Sequence, residues 1–165
     1  MTATESSFDK ARRKMVAARI EFMGQLAKFS KAALKLAPTE GEWSPLQLAH
    51  HLYIADGLAL EQMQQVQNED NPLLIDSTEA APQRTREAEV PVSLDAVLAG
   101  MAARREEIFT YLASLPADTW ERPMRHPAWG QIKFYQFVNI LPQHDMQHAR
   151  QLSSIKARFQ EHSVK

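Results

Sequence analysis

Six histidines and no cysteine occur in a chain of 165 residues, so any transition-metal chemistry here falls to imidazoles and carboxylates. Two of the histidines stand four apart in "LPQHDMQHARQL". On a helix that spacing sets two side chains about 40° apart on one face, which is what two imidazoles need to reach one metal ion. Stepping about 100° per residue from His144, the same face carries Phe137, Ile140, Leu141, Leu152 and Ile155. The pair therefore points toward an apolar interior, where each unsatisfied ring nitrogen costs about 1–3 kcal/mol. Either ordinary core hydrogen bonds or a metal must satisfy them.

A second stretch, "AHHLY", supplies two more histidines, and helical phase separates them. Leu48, Leu52, Ala55, Leu58, Ala59 and Val66 share the side of His51, whereas His50 points with Gln47, Ile54, Glu61 and Gln65. His51 is thus the inward residue and His50 a surface or supporting one. His51, His144 and His148 together form a three-nitrogen donor set suited to Zn²⁺, Ni²⁺, Fe²⁺ or Cu²⁺. Three ligands leave a position open, which marks a catalytic metal rather than a structural one. Gln62 and Gln151 face the same interior and could orient a ligand. Asp145 points about 100° away from His144 and reads as a surface or helix-packing carboxylate. Asp56 and Glu61 lie off the His51 direction and read as exposed helix carboxylates.

These residues need helices to hold them, and the composition favours helices. Only five glycines occur, among long segments rich in Ala, Leu, Met, Gln, Glu, Lys and Arg. Four helical segments are expected in a single domain spanning residues 1–165. The first runs from Ser7 to Leu36 and stops near Pro38 and Gly41. The second opens at Ser44, where Pro45 suits the first helical position and Gln47 completes a capping box, and it continues to Val66. The third runs from a Ser93 cap to Pro116. The fourth spans Lys133 to Phe159, with Pro142 expected to kink it just before the two histidines. Between the second and third lies a polar, proline-bearing connection from Glu69 to Pro91, either a lid or crossover or a solvated linker. Four amphipathic helices of this length bury their apolar faces most simply as an all-α four-helix bundle.

Net charge is −1, from 19 basic and 20 acidic side chains, so the chain lacks the one-sided charge that supplies phosphate affinity. No nucleic-acid partner is expected. The start, "MTATESSFDKARRKM", has no apolar leader region, and no run of about 18 apolar residues suggests a membrane span. Absence of cysteine fits a reducing compartment. The expectation is a cytoplasmic protein.

The stretches "WSPLQLAHHLYIAD" and "HPAWGQIKFYQFVNILPQHDMQHARQL" resemble the DinB-like superfamily, small metal-binding four-helix proteins that include metal-dependent hydrolases and thiol transferases. The resemblance spans essentially the whole chain. Its most specific parts are the Trp-Ser opening of the second helix with a histidine directly before leucine, the His-Pro and glycine turn, and the closing H-D-x-x-H followed by Gln-Leu. It implies one divalent metal, with zinc expected and nickel or iron as alternatives, held by His51, His144 and His148. It also implies an up-down-down-up bundle with the long crossover between helices two and three, a homodimer, and a small-molecule substrate such as a thiol. His126 matches a turn position rather than a ligand, and Trp43 and Trp129 read as packing residues. The other reading is a non-catalytic, metal-binding or structural bundle dimer related to stress.

Overall fold

A computed structural model describes residues 5–89, 91 and 93–163, with side chains as far as 160. Residues 1–4, part of the start expected to lack a leader, residues 90 and 92 at the end of the long connection, and residues 164–165 lie outside the described residues. Four long helices carry the fold: α1 (Ser7–Leu26), α3 (Pro45–Asn68), α5 (Leu94–Ala113) and α7 (Ile140–Ser163). Between them lie the short α2 (Lys31–Leu34), the crossover helix α4 (Ser77–Glu87), a 3₁₀ turn (Ala117–Glu121), the strands β1 (Pro123–His126) and β2 (Gly130–Lys133), and α6 (Phe134–Val138).

The helix starts follow their caps. Ser44 Oγ accepts from Gln47 N at 3.2 Å while Gln47 Oε1 accepts from Ser44 N at 2.8 Å, so the expected capping box is present with Pro45 at the first helical position. Ser6 and Ser93 cap α1 and α5 in the same way, through the backbone N–H groups of Asp9 and Ala96. The first helix ends earlier than the sequence suggests. After Leu26 the chain turns, and Ser30 accepts from Ala33 N to cap the separate α2, because a serine three residues before a free N–H restarts a helix as readily as it continues one.

The contacts fix the helix directions. Arg19 meets Asp145, and further along both segments Phe29 meets Phe159, so α1 and α7 run the same way. On the opposite side Asp56 meets Arg105 while the Tyr53 ring lies against Gly100, so α3 and α5 also run together. From Asp56 back to His51 and from Asp145 on to His148, α3 and α7 run in opposite senses. Gly57 matters to this pairing: a side chain there would occupy the space of the Arg104 guanidinium. Arg104 instead lies over the Tyr53 ring at 4.6 Å and donates to its hydroxyl.

Two apolar clusters fill the bundle. One gathers Met15, Met63, Val66, Ile108, Leu112 and Leu141, the other Phe22, Leu26, Leu48, Leu52, Met101 and Leu152. Each long helix turns one charged residue inward between its contributions to the two clusters: Arg19, Asp56, Arg105 and Asp145. Arg19 donates to Asp56 at 2.9 Å and to Asp145 at 3.2 Å. Arg105 donates to Asp56 at 3.2 Å and to Asp145 at 3.1 Å. The two aspartates are 4% and 1% exposed, which corrects the reading of Asp56 as an exposed carboxylate and makes Asp145 the helix-packing one of its two readings; Glu61 is exposed, as expected, and pairs with Arg84. Helix α7 touches two neighbours at once, so the side 100° from His144 faces α1 and Arg19 rather than solvent.

Two further expectations change. The connection after α3 is no solvated linker: it holds α4, which packs on α3, and its first part is fastened by Arg125 N to Pro72 O at 2.8 Å and Leu74 N to Arg125 O at 3.0 Å. The turn before the last helix contains an antiparallel hairpin, Pro123 to His126 against Gly130 to Lys133, with Gly130 at φ 72°, a left-handed conformation suited to glycine. There His126 Nδ1 accepts from Ala128 N and Trp129 N, which makes it the turn histidine expected. Trp129 is exposed and stacked on the His126 ring at 4.3 Å, so it is not a packing residue of the core.

Candidate metal centre

Helix α7 presents His144 and His148 because Pro142 sits in its first turn. The proline has no N–H for the Val138 carbonyl, and the helical run breaks at Asn139, dividing α6 from α7. The sequence suggests a kink at this point, and the structure shows a one-residue interruption, with Asn139 still in the helical region. The new helix then sets both histidines toward α3, where His51 is 3% exposed; His50, one residue away, is half-buried and stacked on Tyr53, as phase requires.

The three rings meet edge to face. Centroid distances are 5.3 Å for His51 to His144, 5.0 Å for His51 to His148 and 4.5 Å for His144 to His148. One ring nitrogen from each lies within 4.8 Å of the others. Hydrogen bonds assign the nitrogens. Thr85 Oγ1 gives its proton to Ala81 O at 2.8 Å, so toward His51 Nδ1, at 3.1 Å, it accepts. His51 therefore carries its proton on Nδ1 and keeps the Nε2 lone pair. His148 Nδ1 donates to Gln151 Oε1 at 2.8 Å, which likewise leaves Nε2 bare. That Nε2 faces His144 Nε2 at 2.9 Å, a separation that demands either a proton or a cation between two nitrogens.

Electrostatics keep the rings neutral. Burial, then the neighbouring His144, His148 and His50, pushes His51 down to about 3. Burial, then His148, pushes His144 down to about 4, against the pull of Asp56 and with the help of Arg19 and Arg105. His148 is lowered too, by burial. A divalent metal needs neutral imidazoles with free Nε2 atoms and their other nitrogens hydrogen-bonded, and the donor set fits that requirement.

Of the two amides named from sequence, Gln151 supports His148 as described. Gln62 is buried, but its amide donates to the Ile75 carbonyl at 3.2 Å, so it anchors the start of the crossover instead. Thr85 was not foreseen: it lies in the polar connection, and only its seat on α4, with side chain buried, marks it. Trp43 packs its ring 4.8 Å from that of His51. Among the described residues no helix is long and apolar enough to cross a membrane.

A four-helix bundle that gathers one histidine from its second long helix and an i, i+4 pair from its fourth defines a class of three-histidine bundle proteins. Residues 11–152 match the pattern of the DinB superfamily, and the chain belongs to that family. It is 23% identical to the uncharacterized protein YuaE of Bacillus subtilis, over 87% of this chain and 95% of that one. Its fold is similar to that of Bacillus subtilis YfiT, described as a probable metal-dependent hydrolase with an unusual four-helix bundle topology. That likeness has a TM-score of 0.73 at 15% identity and covers 96% of this chain and 90% of the other. It is also similar to a mycothiol-dependent maleylpyruvate isomerase, with a TM-score of 0.66 at 13% identity, over 90% of this chain and 63% of the other.

Proposed function

We propose that the protein is a metal-dependent enzyme that holds one divalent cation, zinc foremost, on His51, His144 and His148. The observation that carries this reading is the convergence of three neutral imidazoles, two of them with Nδ1 already committed to Thr85 and Gln151. A cation held there supplies Lewis acidity that lowers the pKa of a small thiol or of water, turning either into a nucleophile near neutral pH. The chain's own residues orient the donors. Thr85 and Gln151 fix which nitrogen each ring presents, and the Trp43 ring covers one side of His51. The likeness to a probable metal-dependent hydrolase and to a thiol-dependent isomerase supports transfer or hydrolysis as the reaction class.

Elemental analysis of untagged protein tests the site: about one equivalent of zinc or a similar metal per chain is expected, and its loss in His51→Ala and His148→Ala with helicity retained. Unchanged metal content in those variants would sink the assignment. Turnover of a low-molecular-weight thiol with an electrophile, abolished in the same variants, separates an enzyme from a bundle that uses its metal only to tie α3 to α7.

A further inference from the structure

A cavity of about 330 Å³ lies between the loop before α3, helix α4 and the C-terminal half of α7, walled by Pro38, Trp43, Arg86, Gln151, Ser154 and Ile155. Its size is at the lower end of those that take small ligands. It adjoins the histidines through two of its walls, and a third neighbours a histidine's partner in the chain. The Trp43 ring rests beside His51, Gln151 receives the His148 Nδ1 proton, and Arg86 directly follows Thr85, the partner of His51.

Its polar groups are biased toward donors. Glu42 also lines the cavity, but its carboxylate is taken up by the Thr39 hydroxyl at 2.6 Å and by Arg158 at 3.0 Å. Those contacts, Thr39 foremost and then Arg158, hold Glu42 below the usual carboxylate range. Arg158 is thereby neutralised, whereas Arg86 has no carboxylate partner among the described residues. Gln151 spends its oxygen on His148, so the free end of its amide is the NH₂ group, and Ser154 adds a hydroxyl. A guanidinium without a carboxylate partner among the described residues, an amide donor and a hydroxyl beside the apolar faces of Trp43, Pro38 and Ile155 suit an anion with a short carbon chain.

We propose that this cavity binds the carboxylate end of an acidic small-molecule substrate, with Arg86 as the charge that selects it and Gln151 shared between substrate and His148. Its role as a substrate subsite rests on the metal centre proposed above; its preference for an anion does not.

Glutarate serves as the probe, titrated calorimetrically into the zinc-loaded chain and into metal-free His144→Ala, each with and without a change at Arg86. Binding is expected in both backgrounds, with dissociation constants within about threefold of each other. Arg86→Glu should weaken it by about tenfold or more while zinc content stays at the wild-type level, and Arg86→Lys should retain most of it. Glutarate that binds wild type but not His144→Ala would place the anion on the metal and overturn the proposal. So would affinity untouched by Arg86→Glu, or no binding to wild type at all. A wild-type chain that binds glutarate through Arg86 yet takes up no zinc keeps the anion site and sinks the metal centre alone.

Discussion

The charge layer and the histidine cluster are neighbours in the bundle, and they solve the burial of polar groups in opposite ways. Arg19, Asp56, Arg105 and Asp145 come one from each long helix and sum to zero, with ion pairs of 2.9–3.2 Å. Apart from Arg105 Nη1, which is buried without a partner among the described residues, the layer completes itself from within the chain. The cluster is less closed. Its rings are kept neutral chiefly by burial, His51 and His148 have their outer nitrogens satisfied, and the inner nitrogens of His144 and His148 face each other. A set of paired charges closes on itself and specifies how four helices sit together; a set of convergent ring nitrogens shares a proton or fits a cation.

If the charge layer is structural, breaking it should cost more than any change at the histidines. Asp145→Ala strands Arg19 and Arg105 with half their partners, and a loss of about 3–5 kcal/mol is expected in urea unfolding. A loss below about 1 kcal/mol would erase the distinction between the two regions.

Thr85→Val probes the cluster instead. It removes the acceptor that fixes the His51 tautomer, so zinc affinity measured by chelator competition should fall about 10–100-fold, while the metal-free chain loses only about 1 kcal/mol of stability. Equal affinity in that variant would mean that the crossover helix does not orient His51.

Acidification probes the histidine cluster directly. In the unfolded chain the histidines take up protons below about 6.5, whereas folded His51 and His144 resist until about 3 and about 4. The unfolded state thus binds more protons in that window, so their stabilising contribution is present above 6.5 and is lost as pH falls. Metal-free protein should show this slope, and His51→Leu should flatten it by up to about one proton; an unchanged slope would show that His51 titrates normally in the fold. The smallest effect is expected at Glu61→Gln, which loses an exposed pair with Arg84 and should change stability by about 0–1 kcal/mol.

The three histidines were legible because each could be placed by local periodicity: the spacing of His144 and His148 and the phase of His51 within its own helix. The capping box at Ser44 and Gln47 was legible for the same reason. Asp56 was misread as exposed, and Asp145 was left between a surface and a helix-packing role, because a helix wedged between two neighbours buries more than one face. Thr85 was missed because a polar, proline-bearing stretch gives no signal of which side chain will be buried, and its partner His51 lies 34 residues away.

The sequence by itself determined where the first three long helices start, that the helices form a bundle, and which histidines turn inward, since capping chemistry and helical phase act over a few residues. Only the tertiary structure decided that four charges separated by up to 126 residues would close into one layer, that the connection would become a helix delivering Thr85, and that Arg86 and Gln151 would wall one cavity. Those outcomes depend on which faces meet across the bundle, and burial is a property of the assembled neighbours rather than of any one helix.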